Sequence, residues 1–219
     1  SDTGAVQMNK SAIIIAAGVL GAFGIAGAGL VSFTYEQTRE QILENERQAL
    51  LSRLDALVPG ASIDNDIITD RITVSDPGLL GAEETTVYLG RKAADPVAAV
   101  FTTVAPDGYS GSIKLLVAVR RDGTLGGVRI VAHRETPGLG DKIELAKSDW
   151  VLGFNGKSLG DPPEERWAVR RDGGDFDQFT GATITPRIVV KAVRKTLVYY
   201  RKVGEELFRM PQAEQRASG

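Results

Sequence analysis

The chain has 219 residues, of which 42% are hydrophobic and 25% are charged, a composition typical of globular proteins that excludes a disordered or collagen-like chain. Its formal net charge of -2 gives no general attraction to nucleic acid, so we expect no nucleic-acid partner. The absence of cysteine excludes disulfides and thiolate metal sites, and the single histidine, His133, excludes a multi-histidine metal site. We therefore expect no bound metal, and any redox chemistry must come from an organic cofactor.

Residues 12–33 form an apolar run in which Ser32 is the only polar side chain. As a helix this run spans about 33 Å, which matches the hydrocarbon core of a bilayer. We predict a retained transmembrane helix over 12–33, after an N-terminal tail at 1–11. The alternative is a cleaved signal peptide, because Lys10 precedes the run and the A-G-A sequence at 26–28 has the pattern of a cleavage site. The run is longer than the about 7 to 15 apolar residues of a signal peptide, which favours the membrane helix.

Glycines recur at every third position of this run, so one flank of the predicted helix carries almost no side chain. Such a flank lets helix backbones approach closely in lipid, where van der Waals contact drives helix association. We therefore expect the helix to pack against other membrane subunits. The alternative is a plain anchor with incidental glycines, because glycine is common in membrane helices. The four glycines are Gly18, Gly21, Gly24 and Gly27.

The basic residues that flank the apolar run bear on its orientation. Lys10 precedes the run, whereas Arg39, Arg47 and Arg53 follow it. The positive-inside rule would thus place the following domain in the cytoplasm, although the rule has little weight for a long translocated domain.

The rest of the chain mixes helical and strand patterns. Helical spacing of apolar residues predicts a juxtamembrane helix at 34–59, which Pro59-Gly60 ends. A domain over 60–207 and a C-terminal tail at 208–219 follow. Because the strand candidates do not alternate regularly with helices, we predict an α+β fold, with a mixed, largely antiparallel sheet and flanking helices. The candidates are strands at 86–90, 97–104 and 167–171, and a hairpin of Ile113–Arg120 with Leu125–Ala132 around Asp122-Gly123.

A loop rich in small residues follows the predicted hairpin at residues 133–142. It contains Pro137, Gly138 and Gly140, which can hold the backbone rigid and leave its amides accessible. We therefore expect this loop to approach a ligand through its backbone. For His133, at the start of the loop, we expect a structural role at the end of the strand.

A C-terminal helix is predicted by the spacing of apolar residues after Pro186, and it extends to about Leu207. Thr185 stands in the N-cap position of this predicted helix, with proline as its first residue. The free N–H groups at such a helix start, directly after a turn of small residues, favour an anion site that would accept a phosphate.

The stretch before this helix resembles a known modification motif. Residues 177–183 read D-Q-F-T-G-A-T and match the flavinylation motif D-x-x-[ST]-G-A-T, in which a flavin transferase joins the phosphate of FMN to the final threonine hydroxyl. An apolar helix, G-Y-S-G at 108–111, H-R-E-T-P-G-L-G at 133–140 and then this motif follow one another along the chain. This order resembles the G subunit of the Rnf ion-translocating oxidoreductase. The C subunit of the sodium-translocating NADH:quinone reductase shares the flavin domain but is usually longer, and it stays the alternative.

The resemblance implies a site that holds FMN covalently. Thr183 would carry the FMN as a phosphoester. We expect no residue of the chain to convert a substrate by itself, so no catalytic residue is predicted. Thr180, Gly181, Ala182 and Thr185 would surround the phosphate, and the isoalloxazine ring would be held by Glu135, Thr136, Pro137, Gly138, Leu139 and Gly140.

The resemblance also implies a function and a location. The chain would relay electrons in a membrane complex that couples electron transfer between ferredoxin and NAD to ion translocation. Its flavin domain would lie on the periplasmic side of the bacterial inner membrane, against the count of basic residues. Its partners would be other membrane subunits and, during maturation, a flavin transferase. Two other classes stay open: a membrane-tethered binding or assembly module whose T-G-A-T turn only caps a helix, and a stand-alone FMN reductase.

Overall fold

The computed structural model describes residues 10–211, and within them the chain divides into one unit up to Leu50 and a second from Leu51 onward. The first unit consists of the greater part of one long helix, α1 (Lys10–Leu57). The helices predicted at 12–33 and 34–59 are therefore one continuous helix, which ends before Pro59 as the sequence indicates. Among the described helices, α1 alone is long and apolar enough to cross a membrane, with a mean hydropathy of 2.2 over its apolar window.

The apolar part of α1 presents its side chains outward. Large side chains such as Phe23 and Ile25 are exposed along it. A Cβ placed on Gly18, Gly21 or Gly24 would meet no atom within 4 Å outside the helix itself, and the same holds at Gly27. The glycine flank of this unit is thus open to lipid or to another membrane helix.

The second unit is built on a five-stranded sheet whose strands follow one another in sequence order. Every neighbouring pair is antiparallel, so the sheet is a meander. The predicted α+β class with flanking helices is confirmed, and the sheet is antiparallel throughout. The strand candidates at 86–90 and 97–104 and both arms of the hairpin are strands. The strands are β1 (Arg71–Val74), β2 (Thr85–Lys92), β3 (Asp95–Ala105), β4 (Ile113–Arg120) and β5 (Leu125–Ala132).

One face of the sheet is covered by the C-terminal helix α3 (Ile184–Val203). Phe101 of β3 packs edge-on against Tyr200 of α3, with the ring centroids 6.3 Å apart. The hydroxyls of Thr103 and Thr196 share a hydrogen bond of 2.9 Å in the same layer, which satisfies both groups away from water. This packing fixes where α3 begins relative to the sheet.

The opposite face of the sheet is covered by the last turn of α1. Leu54, Leu57 and Val58 are buried there. Glycines of β5 allow this approach, because a Cβ at Gly126 would lie only 2.9 Å from the carbonyl oxygen of Leu57. Since both faces are buried, the inner strands are apolar almost throughout. In β4 six of the eight residues are buried, and only Lys114 and Arg120 are exposed.

The strand predicted at 167–171 is wrong. Trp167 turns inward to bury its ring, and its indole N–H donates to the carbonyl oxygens of Ser158 and Pro162. The next residues form a 3-10 turn, Arg170–Asp172, and only Val169 makes an isolated bridge. Packing of the indole against two other aromatic rings, a tertiary effect, overrides the local β-pattern.

The end of the chain differs from the prediction in two respects. α3 ends at Val203 and not near Leu207, because the next residue, Gly204, leaves the helical backbone with a φ of 47°. Phe208 is buried, so the tail predicted from residue 208 onward begins by packing on the core. The remaining parts of the two predicted tails, 1–9 and 212–219, lie outside the described residues.

Two short elements were not predicted from the sequence, namely β1 and the helix α2 (Pro77–Leu80). The helix has a capped start, because the Asp76 carboxylate accepts the N–H of Leu79 at 3.0 Å and proline occupies the first helical position. Both elements are only four residues long, which is too short for a periodic pattern of apolar residues to be recognised.

The turn between β2 and β3 places two alanines in the left-handed region, with φ of 50° at Ala93 and 68° at Ala94. This conformation costs a residue with a Cβ about 1–2 kcal/mol. The Ala93 N–H donates to the Asp64 carboxylate at 2.7 Å, which ties the turn to the segment before β1.

We predict that Ala94→Gly stabilises the second unit by about 1 kcal/mol, because glycine relieves the left-handed strain and its greater freedom in the unfolded chain offsets only part of the gain. Chemical denaturation of the detergent-solubilised chain, followed by tryptophan fluorescence, measures this. The control is Ala132→Gly at the exposed end of β5, which should destabilise. An unchanged or lower denaturation midpoint for Ala94→Gly would contradict the prediction.

Candidate functional site

A cavity of about 290 Å³ opens beside the start of α3. Three segments meet there: the connection between β3 and β4, the loop after β5, and the turn that leads into α3. Its lining is mostly apolar with a few polar groups, which is typical of cofactor sites. The lining residues are Tyr109, Glu135, Thr136, Leu139, Gly140, Gly181, Ala182, Thr183, Ile184 and Thr185.

Glu135 joins the three segments. Glu135 is only 3% exposed, and its Oε1 accepts the backbone N–H of Ser110 at 3.0 Å. Through Oε2 it accepts the hydroxyl of Thr185, which lies in α3. A carboxylate buried this deeply requires hydrogen-bond donors, and here each donor comes from a different segment of the cavity wall. Glu135 is therefore a structural centre of the site as well as part of its lining.

Two glycines make this close packing possible. A Cβ at Gly140 would lie 2.9 Å from both the Cβ of Glu135 and the hydroxyl oxygen of Thr185. A Cβ at Gly108 would lie 2.2 Å from the carbonyl oxygen of Gly111 and 3.0 Å from the Glu135 carboxylate. Only glycine fits either position without displacing the buried carboxylate.

The T-G-A-T stretch forms a tight turn closed by a bridge between Phe179 and Ala182. Gly181 occupies the left-handed region of this turn with a φ of 82°. Thr180 is exposed to solvent and does not line the cavity, whereas Thr183 is half-buried at the cavity wall. The turn thus separates the two threonines of the motif, one outside the cavity and one inside it.

The prediction of Thr185 as N-cap is wrong. α3 begins at Ile184, so Thr183 occupies the N-cap position, and its side chain makes no capping hydrogen bond. Thr185 is the second helical residue, is 1% exposed, and uses its hydroxyl to satisfy Glu135. The hydroxyl that the sequence pattern assigned to the cap is therefore used by a buried carboxylate, which the pattern could not reveal.

The first turn of α3 points its positive end at the cavity. The amide groups of Ile184 and Thr185 come too early in the helix to have acceptors within it, and both residues line the cavity. Such an end favours a phosphate by its amide groups and its dipole.

Three basic side chains of α3 are bound elsewhere and do not supplement this anion site. Arg187 is held by Asp172 in a bidentate pair, and the Arg187 guanidinium keeps the pKa of the Asp172 carboxyl below its ordinary value. Arg194 pairs with Glu164, and Lys195 donates to the carbonyl oxygen of Gly78. Their charges are thus directed to other parts of the domain.

The mouth of the cavity is apolar. Tyr109 is 68% exposed, and Leu139 and Ile184 are also exposed beside it. Exposed side chains of this size around one cavity indicate a binding site for a ligand with an apolar surface. Tyr109 and Ile184 were absent from the sequence-based site, although an aromatic residue between Gly108 and Ser110-Gly111 was a signal that could have identified Tyr109.

The loop after β5 divides into residues that line the cavity and residues that shape the loop. Pro137 and Gly138 are exposed and do not line the cavity. They form the tip of a turn in which the Thr136 carbonyl oxygen accepts the N–H groups of Leu139 and Gly140, at 3.1 and 3.0 Å. Of the ring-binding residues predicted here, four reach the cavity wall and two do not.

These features fit FMN. Thr183 lines the cavity beside the start of α3, where a phosphate would be stabilised, and its hydroxyl makes no capping hydrogen bond. The apolar mouth would accommodate the ring. The described residues contain no group of three or more side chains that could hold a metal ion.

Comparisons with known proteins agree with this interpretation. A family model described as an FMN-binding domain matches residues 108–198, which include every residue that lines the cavity. A second model, described as the RnfG N-terminal region, matches residues 8–57. The resemblance to the Rnf G subunit predicted from the sequence is thereby confirmed.

Several curated relatives are named as the G subunit of an ion-translocating oxidoreductase complex. The relative from Pseudoalteromonas atlantica is 49% identical over 191 residues, which cover 87% of this chain and 89% of the relative. The relative from Pseudomonas aeruginosa is 48% identical over 196 residues, 89% and 92% of the two chains. The relative from Vibrio cholerae is 46% identical over 193 residues, 88% and 92% of the two chains. The chain belongs to the family of G subunits of the ion-translocating oxidoreductase complex.

Proposed function

We propose that this chain relays electrons in a membrane ion-translocating oxidoreductase through FMN bound as a phosphoester to Thr183. The observation that carries the proposal is that Thr183 lines the cavity beside the start of α3 and that its hydroxyl makes no capping hydrogen bond. A phosphate on this oxygen would meet the first amide groups of the helix. FMN supplies the electron chemistry, and the chain holds and orients it.

The three threonines of the turn have different surroundings, which supports Thr183 as the attachment site. Thr180 is exposed on the outer side of the turn. The Thr185 hydroxyl is buried and donates to Glu135, so modification would leave the carboxylate without this donor. Thr183 is the one whose oxygen is free at the cavity.

The rest of the cavity would orient the flavin ring. The exposed side chains of Tyr109, Leu139 and Ile184 would cover its apolar surface, and the Thr136 to Gly140 turn would approach its polar edge. Glu135 contributes by holding the loop, the helix start and the β3–β4 connection in one arrangement. We propose an electron relay and not a stand-alone reductase, because the relatives of this chain are subunits of an oxidoreductase complex.

Membrane attachment follows from α1, and the family assigns the chain to a multi-subunit complex. We propose that the open glycine flank of α1 packs against other subunits of that complex. We further propose that the domain at 60–207 lies on the periplasmic side of the bacterial inner membrane and receives FMN from a flavin transferase. Covalent attachment would suit this location, because a cofactor lost outside the cytoplasm could not easily be replaced.

Thr183→Ala should abolish covalent flavin, because no other motif threonine has a free hydroxyl at the cavity. Co-expression with a flavin transferase, in-gel flavin fluorescence and intact mass measure the attachment. Thr180→Ala is the matched control and should retain the fluorescent band. Thr185→Ala should reduce loading without abolishing it, because it removes a donor from the buried Glu135.

A fluorescent band in Thr183→Ala, or a peptide mass that places FMN on another threonine, would refute the attachment site. A colourless wild-type chain after co-expression would instead favour a binding or assembly module.

Gly140→Ala should lower flavin loading and shift the visible absorption of any flavin that is bound. The added methyl group would press on Glu135 and Thr185, and overpacking of this kind costs about 1–3 kcal/mol. Gly153→Ala is the matched control, because a Cβ there meets no atom within 4 Å. Equal loading and equal spectra for both variants would show that the tight packing around Glu135 is irrelevant to the site.

Replacing Gly21 and Gly24 together by Leu should release the chain from its partner subunits without unfolding the second unit, because the new side chains separate the helix backbones. Ile25→Leu, also on the apolar part of α1, should have no effect. Co-purification of the partner subunits, with tryptophan fluorescence as the folding check, measures both. Undiminished co-purification of the double variant would argue against packing through the glycine flank.

A further inference from the structure

Trp150 makes two contacts with the stretch that leads into the T-G-A-T turn. Its indole N–H donates to the carbonyl oxygen of Asp177 at 2.8 Å. Its ring meets the ring of Phe179 edge-on, with the centroids 5.2 Å apart. Trp150 lies 27 residues before Asp177 in the chain, so both contacts are tertiary. Because Phe179 forms the bridge to Ala182 that closes the turn, these contacts reach the turn itself.

The indole is itself fixed to the sheet. Trp150 lies in the 3-10 turn Asp149–Phe154, and its ring meets the buried ring of Phe154 edge-on at 5.3 Å. Directly after this turn, the backbone of residues 156–157 exchanges two hydrogen bonds of 2.8 Å with Leu125 of the edge strand β5. The position of Trp150 is therefore set by the sheet, and Trp150 in turn holds the start of the T-G-A-T turn.

The part of the turn that lines the cavity lies between two anchors. Gly181, Ala182 and Thr183 line the cavity. After them the chain enters α3, which is packed on the sheet, and before them it is held by the indole. Trp150 does not line the cavity, so it can act on a ligand there only through the turn.

Arg170 and Arg171 hold the same stretch from another segment. The backbone N–H of Arg171 donates to the side-chain oxygen of Gln178 at 3.1 Å. The ion pair between Arg170 and Asp177 is exposed on both sides, so it contributes little. These contacts come before Phe179, whereas the indole ring contacts Phe179 directly.

We infer that Trp150 is a positioning residue for the flavin, because it holds the turn on which the flavin would be carried. The inference rests on the proposed function in taking FMN on Thr183 as the ligand. Loss of the indole leaves the Thr183 hydroxyl and the motif unchanged, so FMN should still be attached. The flavin ring should be held less rigidly, because the turn that carries it opens more often.

Hydrogen–deuterium exchange of the full-length chain in detergent tests the hold on the turn without any flavin. Trp150→Phe keeps an aromatic ring beside Phe179 but removes the N–H donor. Loss of one hydrogen bond should lower the protection of residues 177–183 by about 2- to 10-fold. Phe179→Leu removes the ring contact but keeps the indole hydrogen bond, and it should lower the protection of the same residues. Protection in β4 should stay unchanged in both variants.

The flavin-loaded chain, obtained by co-expression with a flavin transferase, tests the effect on the ligand. Intact mass should show the same addition of FMN in the wild type and in Trp150→Phe. The anisotropy of flavin fluorescence should be lower in Trp150→Phe, because the ring moves more freely. Iodide, a collisional quencher, should reduce the flavin fluorescence of this variant more strongly than that of the wild type.

Trp167→Phe is the matched control. It removes an indole from the same group of aromatic rings, but the Trp167 N–H donates to the carbonyl oxygens of Ser158 and Pro162, outside the turn. Because Trp167 is buried, this variant should lower the chemical denaturation midpoint, followed by circular dichroism, more than Trp150→Phe does. Its protection at 177–183 and its flavin anisotropy should nevertheless stay at the wild-type values.

Wild-type protection and wild-type anisotropy in Trp150→Phe would overturn the inference. Equal losses of both in Trp150→Phe and Trp167→Phe would also overturn it, because the indole would then only support the fold. If protection falls in Trp150→Phe but FMN lies on no motif threonine, the proposed function fails while the hold of Trp150 on the turn stands. If FMN lies on Thr183 and Trp150→Phe changes neither measurement, the proposed function stands and the inference fails.

Discussion

The buried carboxylate of Glu135 is the group on which the site depends. Its two oxygens accept donors from the β3–β4 connection and from α3, while its own backbone N–H is held by His133 at the end of β5. A carboxylate in this position would destabilise the domain if its donors were removed, so the three segments must stay together for the fold to be stable. The same bonds that satisfy Glu135 therefore shape the cavity.

The sheet and α3 supply the rigid frame for these bonds. Packing of Phe101 against Tyr200 and the buried contact of Thr103 with Thr196 fix α3 on the sheet. Because α3 is fixed, its first amide groups and the Thr183 hydroxyl occupy a defined place beside the loop. A cofactor held covalently there would keep a constant distance to its redox partners, which is what an electron relay requires.

The sequence predicted best those elements whose residues pair or pack within one continuous segment of the chain. The hairpin of β4 and β5 was predicted with both strands in full. The helices predicted for the apolar run and for the segment after it are both part of α1. The strand predicted at 167–171 failed because Trp167 is buried against Phe154 and Phe176, two rings that lie outside the predicted strand. Thr185 failed as an N-cap for a related reason, since its hydroxyl is needed by a carboxylate fifty residues earlier in the chain.

By itself, the sequence determined the α+β class, the membrane helix candidate, the family, and the segments that would form a flavin site, because these depend on composition, periodicity and motifs. Only the tertiary structure decided which residues of those segments line the cavity and which do not. It separated Thr183 from Thr180 and Thr185, removed Pro137 and Gly138 from the cavity wall, and added Tyr109 and Ile184 to it. The physical reason is that burial and hydrogen-bond satisfaction belong to the packed chain: which hydroxyl is free depends on which buried acceptor requires a donor, and that acceptor comes from another part of the sequence.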